Sequence, residues 1–174
     1  HRLRVGEREF AVFLGPGHSP GQAMLHSARD NLFVCADHIL NKVPVLLIVP
    51  TSSLADDTYG RFMHSLREIE RRIRPDVTLL PGHNLPNADL ADALSFLREH
   101  HRDRLKTVFD ACRDAPLTIL ETAHLLFGRK LNGRQTHYAI FEALAYVNHG
   151  LHTGGLMRVE SRSGLERFGV PNKN

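Results

Sequence analysis

Three side chains of a metal-ligating type each follow a short apolar run in the sequence. They are His18 after residues 10–14, Asp37 after residues 32–36 and His83 after residues 77–80. Imidazole and carboxylate groups are ligands that a zinc-type ion prefers, and the end of a strand holds a side chain with little conformational freedom. Each residue alone is explained more simply as a loop histidine or a helix cap. The recurrence of the arrangement predicts one metal site.

The runs themselves carry strand signals. Residues 10–14 end at a Gly-Pro-Gly turn, and residues 22–26 and 32–36 flank a polar Arg-Asp-Asn segment as the strands of a hairpin do. Apolar residues at helical spacing between Tyr59 and Ile73 then predict a helix, which Asp56 and Asp57 can cap. A strand over 77–80 follows, so the chain is predicted to belong to the α/β class.

The remainder of the chain predicts three helices and a hairpin. Apolar spacing extends from Leu90 to Cys112, a Thr118–Glu121 capping box opens a short helix, and another helix runs over 135–149. Segments 156–160 and 165–170 flank Ser163-Gly164 as a small hairpin, which completes the element set of a winged helix. We expect the 135–149 helix to be largely buried, because only His137 and Asn148 follow its first residues as base-reading candidates.

Charge supports a division of the chain into two domains. Acidic residues exceed basic ones by one up to Ser95, whereas basic residues exceed acidic ones by four from Phe96 onward. We therefore predict domains at 1–95 and 96–174. No apolar run reaches the ~18 residues that span a bilayer, and two isolated cysteines suit reduced thiols in the cytoplasm.

Several strings resemble the metallo-β-lactamase-fold hydrolases, which include glyoxalase II-like enzymes. GPGHSPGQAML, LFVCADHIL and LLPGHN are similar to the second half of that αβ/βα sandwich. The strings LREHHRDR, ETAHLLFGR and FEALAYVNHG are similar to the winged-helix extension of bacterial hydrolases related to the lactamase-beta-like ribonucleases. The resemblance implies that His18 binds one metal ion, His83 another, and Asp37 bridges both. Ala36 departs from the family, which usually has glycine before the bridging aspartate.

A second departure is larger, because the HxHxDH motif of the family is absent from the chain. In the family this motif supplies the remaining ligands and the general base. We therefore expect that the chain begins after the motif and is inactive alone, and that either the preceding half was cleaved or omitted or the fold is a rearranged assembly. An isolated half is also expected to leave an apolar sheet face uncovered.

The resemblance implies a metal-dependent hydrolase of an ester, thioester or lactone-type small molecule. Its nucleophile would be a hydroxide held by two ions, for which zinc is the first expectation and iron or manganese are accepted. His38 and His101 are candidates for substrate contact or for supporting the ligands. The simpler interpretation is a loop histidine for His38 and a packed, hydrogen-bonded histidine for His101.

Two other classes of function stay open. An endoribonuclease of the same fold would need a basic channel, for which the charge split is modest evidence, so RNA stays open as a partner. A non-enzymatic winged-helix module would bind its partner without metal. Sequence-specific DNA binding is disfavoured, no membrane partner is expected, and a homodimer formed through the tail is an alternative use of this domain.

Overall fold

The computed structural model describes residues 1–86, 89–128, 130–159 and 164–171 of the chain. Residue contacts divide the chain into two units. The first consists of His1–Val45 with Gly60–His100, and the second of Leu46–Tyr59 with His101–Asn174. The division into domains at residues 95 and 96 stays a prediction.

A five-stranded mixed sheet forms the framework of the first unit. Its strands are β1 (Arg2–Val5), β2 (Arg8–Gly15), β3 (Gln22–Ser27), β4 (Leu32–Ala36) and β5 (Thr78–Pro81), in that spatial order. The first three pairings are antiparallel and the β4–β5 pairing is parallel. Strands β2, β4 and β5 therefore run in the same direction, and their carboxyl ends lie at the same end of the sheet.

Strand β1 was not predicted from the sequence, whereas the predicted strands β2 to β5 are confirmed. All four residues of β1 are exposed, and they alternate between arginine and an aliphatic residue. The strand forms because it pairs antiparallel with β2 around a turn in which Gly6 has φ 60°. Backbone pairing rather than burial therefore determines this edge of the sheet.

Helix α1 (Thr58–Arg72) connects β4 to β5, as its apolar spacing predicts. It buries Phe62, Leu66 and Ile69, and the guanidinium of Arg72 lies 5.9 Å over the ring of Phe13. The helix is therefore placed on the face of the sheet that carries Phe13.

The opposite face of the sheet carries an aliphatic row. Val12, Leu25, Val34 and Leu80 are successive cross-strand partners, so their side chains share one face, and each is half-buried. Leu14, further along the same face of β2, is 64% exposed. The apolar sheet face expected of half a sandwich is thus present in this unit.

Three helices and a two-stranded sheet follow. Helix α2 spans Leu90–Asp114, α3 Ile119–Phe127 and α4 Gly133–His152, and strands β6 (Met157–Val159) and β7 (Arg167–Gly169) pair antiparallel. The predicted capping box of α3 is confirmed, with Thr118 and Glu121 exchanging hydrogen bonds. The predicted turn residue Ser163 lies outside the described residues. The winged-helix assignment stays a prediction.

Helix α4 is mostly buried between Ala139 and Gly150, whereas its first two turns are exposed or half-buried, so the predicted burial holds for the second part of the helix. Its buried residues are Ala139, Phe141, Glu142, Ala143, Ala145, Tyr146, Val147, Asn148 and Gly150. The helix passes through Gly150, where the sequence predicts a stop, because the hydrogen bonds of its last turn continue to Thr153. No helix among the described residues is long and apolar enough to cross a membrane.

The end of α4 contacts the irregular segment over residues 46–57. The side-chain amide of Asn148 donates to the backbone oxygens of Leu54 and Asp56 at 2.9 and 3.0 Å. The neighbouring His149 places Nδ1 3.1 Å from a carboxylate oxygen of Asp57. The Asn148 amide is therefore occupied inside the protein, which removes one of the two base-reading candidates.

Candidate metal centre

His18, Asp37 and His83 lie close together at the end of the sheet where the carboxyl ends of β2, β4 and β5 lie. The His18 Nε2 atom lies 3.7 Å from Asp37 Oδ2, and the His83 Nε2 atom lies 3.5 Å from Asp37 Oδ1. The expected convergence of the three side chains is thus confirmed. It follows from the sheet topology, since three strands of the same direction deliver their loops to the same place. The assignment of the three as metal ligands stays a prediction.

The contacts within this His18–Asp37–His83 cluster fit a cation better than a hydrogen-bonded network. Both distances exceed the ~3.2 Å upper range of N–H···O hydrogen bonds. Asp37 Oδ1 is buried and accepts no hydrogen bond from the described residues. A buried carboxylate oxygen without a partner is costly, and two imidazoles with one carboxylate form a donor set that suits zinc. The residues present therefore fit a metal centre.

Ala36, directly before Asp37, has a left-handed backbone conformation with φ 48°. The register of the β4–β5 pairing also shifts between Val34 and Ala36, so the strand ends in an irregularity that turns the chain toward Asp37. This conformation is strained for alanine and unstrained for glycine. It explains why the resembling family usually has glycine at this position.

We expect Ala36→Gly to increase the free energy of unfolding. The substitution relieves ~1–2 kcal/mol of backbone strain and loses ~0.5–1 kcal/mol to the greater freedom of the unfolded chain, which leaves a gain of up to about 1.5 kcal/mol. Urea unfolding measures the change. Ala11→Gly in the middle of β2 is the matched control and is expected to destabilise the chain, so equal losses in the two variants would contradict the strain at Ala36.

Gly82 makes room for the Asp37 carboxylate. A Cβ atom at position 82 would lie 2.3 Å from Asp37 Oδ1, well inside van der Waals contact. The glycine directly after β5 thus allows the loop that carries His83 to approach the carboxylate closely.

We expect Gly82→Ala to displace the Asp37 side chain and to lower the free energy of unfolding by about 1–3 kcal/mol, as overpacking does. The measurement is urea unfolding alongside Gly21→Ala, whose added Cβ meets nothing within 4 Å. A Gly82→Ala variant as stable as the Gly21→Ala control would show that the loop can move away from Asp37 with little loss of folding stability.

His38 is fully buried beside the cluster. Its Nε2 atom lies 2.7 Å from Ser65 Oγ, and burial, with a smaller contribution from the charge of His18, lowers the pKa of His38 to about 4. The ring is therefore neutral near pH 7. Sequence reasoning singled out His38 but missed Ser65, although a serine on the apolar face of α1 signals a buried hydrogen bond.

His101 lies in the second unit and is also fully buried. Its Nδ1 atom is 2.8 Å from Tyr146 Oη, and the Tyr146 hydroxyl donates to Glu142 Oε1 at 3.1 Å. Burial raises the pKa of both Glu142 and Tyr146. This arrangement supports the packed, hydrogen-bonded interpretation of His101, and a role toward substrate stays a prediction.

Comparisons with known proteins identify a domain family and solved structures that this chain resembles. Residues 105–171 match the model of the metallo-beta-lactamase-like C-terminal domain. The structure of a beta-lactamase domain protein from Burkholderia ambifaria is similar to 98% of the chain, with a TM-score of 0.92 and 28% identity. The structure of a metallo-beta-lactamase family protein from Thermus thermophilus is also similar to 98% of it, with a TM-score of 0.79 and 22% identity. The chain thus has the fold of the C-terminal part of metallo-β-lactamase-fold proteins.

The chain spans about half the length of these structures, namely 50% of the Burkholderia protein and 52% of the Thermus protein. No curated protein sequence matches it.

Proposed function

We propose that the His18–Asp37–His83 cluster is part of a two-metal centre in a hydrolase. The observation that carries the proposal is the buried Asp37 Oδ1 atom, which accepts no hydrogen bond from the described residues and has two imidazole nitrogens beside its carboxylate. The similarity of the fold to metallo-β-lactamase-fold proteins supports the same conclusion.

The three residues would divide the binding of the metal between them. His18 would hold one ion, His83 the other, and Asp37 both, since its two oxygens each face one imidazole. Divalent ions bound there would polarise the scissile bond and lower the pKa of water. Asp37 would thereby determine the spacing of the site, while Gly82 keeps its carboxylate free to reach it.

We further propose a small-molecule ester, thioester or lactone as the substrate and zinc as the metal, with iron or manganese as alternatives. The occupied Asn148 amide and the buried face of α4 favour a packing role for the tail over base reading. The buried thiols of Cys35 and Cys112 suit a reducing compartment such as the cytoplasm.

The test combines metal analysis with a substrate panel. The assayed protein is a longer polypeptide in which a segment carrying the HxHxDH motif precedes this chain. We expect hydrolysis of an ester, thioester or lactone that disappears with a chelator and returns with zinc or manganese. Cleavage of RNA alone, with steep salt dependence, would identify a nuclease instead. Partner binding without metal and without hydrolysis would identify a binding module.

A further inference from the structure

The His38 side chain connects the loop that carries Asp37 to helix α1. The hydroxyl of Ser65 donates its single proton to the backbone oxygen of Phe62 at 2.7 Å. The same Ser65 oxygen must therefore accept at 2.7 Å from His38 Nε2, which carries the proton of the ring. The hydrogen bond has a defined direction, and it links a residue adjacent to Asp37 to the middle of the helix.

The same ring also contacts the end of β2. A Cβ atom at Gly15 would lie 2.4 Å from the ring of His38, so the imidazole lies directly on the backbone there. Gly15 is the last residue of β2 and precedes the loop that carries His18. The ring of Phe62 meets the imidazole edge-on, with ring centres 5.0 Å apart. His38 is thus held by α1 and by the strand that leads to His18.

The turn that carries Asp37 is a strained segment of the site. The buried Oδ1 of Asp37 accepts no hydrogen bond from the described residues, and the residue before Asp37 has the strained conformation of Ala36. The turn is closed by the backbone hydrogen bond from His38 N to Cys35 O at 3.1 Å. Residue 38 therefore fixes this turn with its side chain as well as with its backbone.

We propose that His38, through its hydrogen bond to Ser65, is a positioning residue that holds Asp37 and the His18 loop in the arrangement that binds metal. This inference rests on the proposed function, because it takes Asp37 as a ligand. Groups that orient metal ligands typically contribute about 10–100-fold to metal affinity. His38 acts in this way through Asp37, without touching the metal or the substrate.

The experiment measures zinc affinity, by competition with a chromophoric zinc chelator, of the longer polypeptide in which a segment carrying the HxHxDH motif precedes this chain. Ser65→Ala removes the acceptor of His38 without changing any residue of the cluster. Ser95→Ala, an exposed helical serine whose hydroxyl bonds only locally to Glu99, is the matched control. Asp37→Asn reports on the proposed function. Circular dichroism identifies the temperature range in which every variant is folded, and affinities are compared within that range.

We expect Ser65→Ala to weaken zinc binding about 10-fold, Ser95→Ala to leave it unchanged, and Asp37→Asn to weaken it most. Unchanged affinity in Ser65→Ala, together with a loss in Asp37→Asn, would overturn the role of His38 and leave the proposed function intact. Unchanged affinity in Asp37→Asn, or no zinc binding by the unsubstituted longer polypeptide, would overturn both.

A second comparison separates positioning from packing. His38→Gln keeps an amide donor near the position of Nε2, whereas His38→Leu fills space without a donor. We expect His38→Gln to retain more zinc affinity than His38→Leu, and equal losses would contradict the hydrogen bond. Nitrogen-15 NMR of the unsubstituted, metal-free chain provides a readout independent of variants. It should show the Nε2–H tautomer of His38, and the Nδ1–H tautomer would overturn the proposal.

Discussion

In the longer polypeptide that carries the HxHxDH motif ahead of this chain, replacing Asp37 by asparagine is expected to abolish high-affinity binding at both metal positions together. Asparagine keeps the shape of the side chain but removes the charge and one of the two oxygens that face the imidazoles of His18 and His83. We expect zinc affinity to fall by more than the ~100-fold upper range for the loss of a group that only orients a ligand. Equilibrium dialysis followed by metal analysis measures both affinity and stoichiometry.

Asp103→Asn provides the control for this substitution, because Asp103 is exposed on α2 and the same chemical change there leaves the cluster untouched. His18→Ala and His83→Ala are expected to affect one ion each. A stoichiometry that falls by one ion in all three cluster variants would contradict the shared role of Asp37.

The 174-residue chain assayed by itself is expected to hydrolyse substrate slowly or not at all. If two ions share Asp37, each ion has two protein ligands from this chain, namely Asp37 and either His18 or His83. A catalytic zinc normally has three. We expect metal to bind weakly and to exchange readily. The measurement is turnover of the ester, thioester and lactone panel with zinc and manganese supplied.

The comparison for this assay is the longer polypeptide that carries the HxHxDH motif ahead of the same chain. We expect metal-dependent turnover from it that Asp37→Asn removes. Comparable turnover by both proteins, lost in each with Asp37→Asn, would show that residues of this chain other than the three considered complete the site.

The local elements were predictable where short-range signals agree. The strands β2 to β5, the apolar face of α1 and the capping box of α3 each have a pattern of spacing or capping in the sequence. The edge strand β1 has only four residues of polar and apolar alternation, all of them exposed, and its formation depends on pairing with β2. The parallel β4–β5 pairing also joins residues far apart in the sequence, such as Leu32 and Thr78, so no local pattern indicates it.

The cluster was predictable in its residue types but not in its surroundings. His18, Asp37 and His83 stand out because each follows a strand, and the sheet topology then explains their meeting. His38 contacts Ser65, which is 27 residues away in the sequence. Gly82 and the Asp37 carboxylate, which lie close together, belong to two different loops. Such contacts depend on how the helix and the loops pack against the sheet, and this packing is not indicated by any local sequence pattern.

The hydrogen bonds between α4 and the irregular segment over residues 46–57 have a consequence for the order of folding. Asn148 is 94 and 92 residues from its partners Leu54 and Asp56. Loop-closure entropy adds only ~0.6 kcal/mol for each doubling of length, so this separation costs little equilibrium stability, but distant contacts slow folding. During synthesis the segment emerges long before α4. The backbone oxygens of Leu54 and Asp56 therefore cannot accept from the Asn148 amide until α4 has been synthesised.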